Sequence, residues 1–335
     1  MSERVAVIGA GNWGTALANL LAKKGNQVVL WSFEPDVADA INREHQNSRY
    51  LRGIPLDPTL RATTKLADAV AGANWIVSVS PAQHVRRVLI EAAPSMIRDA
   101  VIVSASKGIE IATLESMDVV LTEVTPVHLA PPAFLSGPSF ALEVAREQPT
   151  AVTVASRDAD SAQRAQQLFQ ASYFRVYTSD DVIGVELGGA LKNVIAVAAG
   201  MVAGLGLGHN TLAALITRGL AEIARLGVAL GASPLTFMGL AGMGDLILTC
   251  TGDLSRNRTV GVELGKGRKL ADILAGMEMV AEGVGTARAA HALAQKHGIE
   301  MPIVDQVHAV LFEDVPASEA VANLMLREPK PEQWQ

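Results

Sequence analysis

Cysteine is nearly absent: Cys250 is the only one in 335 residues. A single thiol excludes an internal disulfide framework and a cysteine-built metal cluster. The seven histidines show no paired spacing, so no metal site is expected. Cations are outnumbered, with 28 Lys and Arg against 34 Asp and Glu. The net charge of −6 argues against a nucleic-acid binder. There is no low-complexity segment and no fixed-period repeat, which excludes a repeat architecture. The first residues, MSERVAVIGAG, carry no signal-peptide pattern, and a cytoplasmic location is expected. Charge is scarcest between Glu186 and Arg218, where Lys192 is the one formal charge. A lone ammonium in apolar surroundings is costly unless paired, neutralised or used. A desolvated lysine has a lowered pKa and can serve as a general base near neutral pH. The competing reading is a lysine that snorkels to the surface at a helix flank.

What is abundant is apolar: 49% of the chain is hydrophobic and only 19% is charged, enough for a substantial core. The first half alternates β-branched runs with helical patterns. Strands are expected at 4–9, 27–31, 75–80, 100–104, 150–155 and 174–177. Helices are expected at 13–24, 35–46, 82–92 and 159–169. This alternation implies βαβ units and a mostly parallel sheet with helices on both faces. After Asp181 the strand signals stop. Helical patterns follow at 182–203, 210–230, 233–239, 259–264, 270–275, 286–296, 304–312 and 317–324. The charge-free run after Lys192 is interrupted by Asn193, His209, Asn210 and glycines, so a buried core helix is expected rather than a membrane span. The expected fold is an α/β, Rossmann-type doubly wound domain over residues 1–180, followed by an all-helical domain over residues 181–335.

Gly9-Ala-Gly11-Asn-Trp-Gly14 follows the first strand and opens a helix. Gly9 suits the tight turn, Gly11 admits a pyrophosphate to the backbone, and Gly14 lets helix and strand pack closely. The helix N-terminus adds amides and the positive end of a dipole. A dinucleotide site is the expected reading. The second strand ends in Phe33-Glu34, about twenty residues past the glycines. An acidic residue there favours NAD, whereas a 2′-phosphate calls for arginine. The loops Ser80–Gln83 and Ser104–Gly108 follow later strands, at the carboxyl edge where open α/β sheets bind ligands. Lys107 lies in the second of them and could meet an anionic group.

GAGNWGTALA (9–18), SKGIE (106–110), SGPSFA (136–141), ELGGALKNVIAVAAG (186–200), GLGHNTLAALITRGL (206–220), GLAGMGDLILTC (239–250), SRNR (255–258) and EGVGTA (282–287) are spread over most of the chain. In this order the sequence resembles the bacterial type of NAD(P)-dependent glycerol-3-phosphate dehydrogenases. ALKN followed by GMGDL and then RNR is the most specific part.

The resemblance implies that Lys192 is the proton acceptor from the C2 hydroxyl, with Asn193 beside it. It implies that Asp245 pairs with Lys192 and orients it, and that Thr249, one helical turn on, lies on the same side. Lys107, Gly137 and Ser139 are carried over as substrate contacts. Ser255, Arg256 and Asn257 are carried over as the site of the substrate phosphate, which an arginine fork suits. Asn12, Trp13, Tyr50, Lys107, Ala141, Arg256, Val280 and Glu282 join Gly9, Gly11, Gly14, Phe33 and Glu34 as cofactor contacts. The implied reaction is reversible hydride transfer between NAD(P)H and dihydroxyacetone phosphate, supplying sn-glycerol 3-phosphate for glycerophospholipid synthesis. A homodimer is implied, with no nucleic acid, no stable membrane insertion and no metal. The chain departs from the family at Phe33-Glu34, where many bacterial members carry basic or histidine residues. NADH use at least comparable to NADPH use is therefore expected. Two alternatives remain at this point. One is a β-hydroxyacid or ketopantoate-type reductase, whose substrates lack the phosphate that SRNR suits. The other is a redox-sensing binding protein, which would have no need of Lys192 and Asp245.

Overall fold

The computed structural model describes residues 2–127, 129–277 and 280–332. Its strands are β1 (Arg4–Ile8), β2 (Gln27–Trp31), β3 (Gln46–Asn47), β4 (Leu51–Pro55), β5 (Arg61–Thr63), β6 (Trp75–Ser78), β7 (Val101–Ser104), β8 (Ala130–Ser136), β9 (Thr150–Ala155) and β10 (Phe174–Ser179). Among them run helices α1 (Asn12–Lys23), α2 (Pro35–Glu44), α3 (Leu66–Val70), α4 (Ala82–Ala92), α5 (Met117–Val124), α6 (Ala141–Ala145) and α7 (Ala159–Phe169). The remaining helices are α8 (Val182–Gly204), α9 (His209–Ala229), α10 (Asp245–Thr251), α11 (Arg256–Gly265), α12 (Leu270–Ala275), α13 (Glu282–His297), α14 (Pro302–Phe312) and α15 (Ala317–Met325).

Eight strands form one sheet in the order β10-β9-β8-β7-β6-β1-β2-β5. All its neighbours pair in parallel except β8 and β9. Alternation along the strands fills both faces, as the two-residue period requires. Val5 and Val7 face a core shared with α1, α6 and α7, while Ala6 and Ile8 face a core shared with α3, α4 and α5. The chain leaves β1 toward β2 and β5, then returns to β6 on β1's other side. That reversal opens a crevice at the carboxyl edge, where the loops after β1, β6 and β7 converge.

Helix α8 explains the long uncharged run. All but a few of its side chains are buried, and α9, α10, α11, α13 and α14 surround it. Among the described residues it is the one helix long and apolar enough to cross a membrane, yet 89% of its most apolar window is buried inside the protein. A helix apolar on every side is what a helical core requires.

The strand reading missed β8, β5 and the short antiparallel pair β3–β4. Strand β8 opens with Ala-Pro-Pro, and prolines argue against a strand because they cannot donate to the ladder. The others are two to five residues long, too short to display a period. The third expected strand stops at Ser78 rather than Ser80, where the chain turns toward α4. Helices α3, α5, α6 and α10 were also missed. Residues 234–238 form a 3₁₀ turn instead of the expected α-helix. Helix α11 starts at Arg256, three residues early, because the Ser255 side chain caps it by accepting from the Arg258 N–H at 3.2 Å.

Candidate active site

One cleft of about 530 Å³ runs from the glycine loop to α8 and α11. Its first wall is mostly backbone. Gly9 has φ +118°, and a methyl group on it would fall 2.9 Å from the carbonyl oxygen of Val79. A methyl on Gly14 would overlap the carbonyl of Gly9, whereas Gly11 faces open space. The first turn of α1 has no side-chain cap. This cradle fits a pyrophosphate, because it combines an open approach to backbone with a helix N-terminus. At the far end of this wall the Tyr50 hydroxyl donates to Glu34 Oε1 at 2.7 Å. Burial and that carboxylate push the phenol up to about 12. Arg49 lies over the Tyr50 ring, with its guanidinium carbon 5.2 Å from the ring centroid.

The opposite wall is built from charges. Lys192, one turn into the most buried part of α8, donates to Asp245 Oδ1 at 2.5 Å and to Thr249 Oγ1 at 2.8 Å. The Thr249 hydroxyl gives its own proton to the Asp245 carbonyl at 2.6 Å, which leaves a lone pair for the lysine. Two of the three ammonium donors are thus engaged, and Lys192 lines the cleft. Asp245 sits at the start of α10, where a π-helical turn over Leu240–Gly244 leads in. Its other oxygen accepts from Lys107 Nζ at 2.7 Å. Lys107 also donates to the Gly137 carbonyl at 3.3 Å, and Ser139 Oγ donates to the same oxygen at 3.0 Å.

Asp245 and Lys192 are 1% and 7% exposed, so their electrostatics act in a nearly dry setting. Burial lowers the Lys192 pKa to about 8; Asp245 pulls it back up and Lys107 adds to the lowering. For Asp245, burial alone would raise the pKa, but the two lysines outweigh it and hold the carboxyl below its ordinary value. The site therefore combines a permanent carboxylate with a lysine able to exchange a proton near neutral pH.

Beside this trio the Gly283 N–H donates to Asn257 Oδ1 at 2.9 Å, and Asn257 Nδ2 donates to Asn193 Oδ1 at 2.9 Å. A backbone donor thus fixes the orientation of both amides and leaves the NH₂ of Asn193 as its outward group. Arg256, in the first turn of α11, is half-buried and donates to the Val280 carbonyl at 2.9 Å. Glu282 opens α13. Burial raises its pKa to about 7, while Arg256 and the Ala82 N–H oppose the shift.

All thirteen residues expected to contact the cofactor line this cleft: Gly9, Gly11, Asn12, Trp13, Gly14, Phe33, Glu34, Tyr50, Lys107, Ala141, Arg256, Val280 and Glu282. So do the substrate candidates Ser139, Lys192, Asn193, Thr249, Ser255 and Asn257. Gly137 and Asp245 stand behind the wall and act on it through Lys107 and Lys192. Arg258 pairs with Asp253 at 3.2 Å, outside the cleft lining. His209 is exposed at the start of α9 and also outside that lining. Cys250 is buried. Sequence reasoning missed His84 and Arg87, which line the rim from α4. Their three-residue spacing in the helix that leaves a carboxyl-edge loop was the available signal.

Comparison with known proteins agrees over the whole chain. The profile described as the NAD-dependent glycerol-3-phosphate dehydrogenase N-terminus matches residues 4–162, and the corresponding C-terminus profile matches residues 181–322. A glycerol-3-phosphate dehydrogenase [NAD(P)+] of Geobacter sulfurreducens is 58% identical over 335 residues, all of both chains. The crystal structure of a glycerol-3-phosphate dehydrogenase from Coxiella burnetii superposes with a TM-score of 0.93 at 42% identity, covering 97% of this chain and 99% of that one. A yeast (Saccharomyces cerevisiae) glycerol-3-phosphate dehydrogenase gives a TM-score of 0.81 at 30% identity, covering 96% and 99%.

Proposed function

The chain belongs to the NAD-dependent glycerol-3-phosphate dehydrogenase family, and on that premise we propose how its residues divide the work. The reaction is reversible hydride transfer between NAD(P)H and dihydroxyacetone phosphate, giving sn-glycerol 3-phosphate. When bound, the nicotinamide carries the hydride. Lys192 handles the accompanying proton: its ammonium protonates the ketone oxygen during reduction, and its neutral amine takes the C2 hydroxyl proton during oxidation. The Lys192–Asp245 contact at 2.5 Å carries this reading. It places a low-pKa lysine at the cleft wall and fixes its direction. The positive charge also favours the oxyanion developing at the ketone. Thr249 and Asp245 hold the amine, and Asn193 offers its NH₂ beside it. Arg256 and Asn257, with the N-terminus of α11 and Ser255, receive the phosphate, so that a non-reacting group positions the reacting carbon. Lys107 lies between these roles as a second cation near the substrate.

Glu34, braced by Tyr50, would hold the ribose 2′-hydroxyl end of a bound cofactor and repel a 2′-phosphate, so NADH should serve at least as well as NADPH. The cofactor-binding unit spans residues 1–180 and the helical unit residues 181–335. By analogy with the family the protein works in the cytoplasm as a homodimer, and reduction supplies glycerophospholipid synthesis. The test is oxidation of NADH and of NADPH with dihydroxyacetone phosphate and with unphosphorylated dihydroxyacetone. Fast turnover confined to the phosphorylated ketone is expected. Equal turnover of both ketones would remove the phosphate site, and a large NADPH preference would overturn the role given to Glu34.

A further inference from the structure

Helices α8 and α11 bring their backbones into close contact at glycines. Gly200 and Gly204 on α8 face Gly261 and Gly265 on α11, one helical turn apart on each. A methyl group on Gly265 would fall 2.6 Å from the Met201 carbonyl oxygen and 2.9 Å from the Gly204 Cα. Methyl groups on Gly200, Gly204 or Gly261 would come closer still to the carbonyls of Arg258, Val262 and Val197. Glycine weakens a helix more than any residue except proline. Four of them at facing positions make sense only if backbone-to-backbone contact is what these positions supply. The same two helices carry the two halves of the substrate wall. Lys192 and Asn193 lie upstream on α8, and Ser255, Arg256 and Asn257 begin α11. The Asn257–Asn193 hydrogen bond ties the helices at the cleft, and the glycines lock them at the other end.

We infer that this glycine lock is a ruler for substrate length: it fixes the separation between the proton-transferring amine and the phosphate-receiving end of α11. Gly200, Gly204, Gly261 and Gly265 are positioning residues that set specificity without touching substrate. The inference rests on the reading of Arg256 and Asn257 as the phosphate site. A wedge between the helices shifts α11 relative to α8, and a three-carbon ketone phosphate no longer spans both groups well. A substrate one methylene longer then loses less.

The experiment compares kcat/KM for dihydroxyacetone phosphate and for 4-hydroxy-3-oxobutyl phosphate in the wild type, Gly265→Ala and Gly204→Ala. One methylene typically changes discrimination by about 10- to 200-fold. The preference for the shorter substrate should therefore shrink by about threefold in Gly265→Ala and by about tenfold or more in Gly204→Ala, with NADH affinity within about twofold of wild type. Gly265→Ala has the milder overlap and carries the test where Gly204→Ala fails to fold. A length preference unchanged in Gly265→Ala overturns the ruler, even if its melting temperature falls, because that is all a structural role predicts. Arg256→Ala separates the two claims. If it keeps a wild-type preference for the phosphorylated over the unphosphorylated ketone, the phosphate reading fails and the ruler with it. If it loses that preference while the length preference of the glycine variants stays fixed, the ruler alone fails.

Discussion

The two ends of the cleft are built from different materials. Around the glycine loop the wall is mostly backbone, and the Glu34 carboxylate at its far end is held by a neutral phenol. Around α8 the wall is a buried set of charges in which one carboxylate serves two lysines. Backbone geometry distributes binding over many amides, so single side-chain changes at that end alter preference more than capacity. A buried charge set concentrates its effect, because removing one member leaves the others uncompensated in a low dielectric.

The largest expected effect tests that contrast at its charged end. Lys192→Ala should lower kcat by about a thousandfold or more, in line with the loss of a positioned acid–base group, and leave NADH affinity within about twofold. Steady-state rates and fluorescence titration with NADH check both halves. Asp245→Asn comes next, with kcat reduced about a hundredfold. It removes the carboxylate charge that holds two ammonium groups together, and with it the interaction that keeps the Lys192 pKa from falling further. In this variant the pH limb assigned to Lys192 should move below about 8. A limb that moves upward would mean that Asp245 does not stabilise the charged amine.

Arg256→Ala should raise KM for dihydroxyacetone phosphate about ten- to a hundredfold, with a smaller change in kcat, since its role is to hold a charged, non-reacting group. An unchanged KM would place the phosphate elsewhere. The smallest effect belongs to the backbone-built end. Glu34→Gln should raise the ratio of kcat/KM for NADPH over NADH by about tenfold, because it removes a negative charge beside the 2′ position. Paired rate measurements at one salt concentration decide it.

The same contrast explains what could be read from the chain. The glycine loop is local: strand, turn and helix start lie within a dozen residues, and Gly9 and Gly14 answer steric demands there. Buried strands such as β6 and β7 were legible as apolar runs because helices cover both faces of the sheet. The charged end is assembled from residues 53 and 138 positions apart, namely Lys192 with Asp245 and Lys107 with Asp245. Composition could say that Lys192 needed a partner, but the partner's identity came only from the family resemblance. That Asp245 also binds Lys107 was not anticipated at all, because spacing carries no distance across domains. Helix α10 was hidden by the glycines that precede it, and α13 was read short because glycines occupy two of its first four positions. In both places the glycines serve close approach, Gly242 to Phe237 and Gly283 to Asn193, so the residues that weaken the helical signal are those that build the site.

The central claim is that burial makes Lys192 a proton-exchanging group near neutrality, and the pH dependence of kcat/KM for sn-glycerol 3-phosphate oxidation tests it most directly. Oxidation needs the neutral amine and reduction the ammonium. With the Lys192 pKa at about 8, oxidation should rise about tenfold per pH unit below that value and level off above it. Reduction, which needs the ammonium, should be level below about 8 and fall about tenfold per pH unit above it. A flat oxidation profile from about pH 6 to about pH 10, with the enzyme folded throughout, would contradict the assignment of the proton to Lys192.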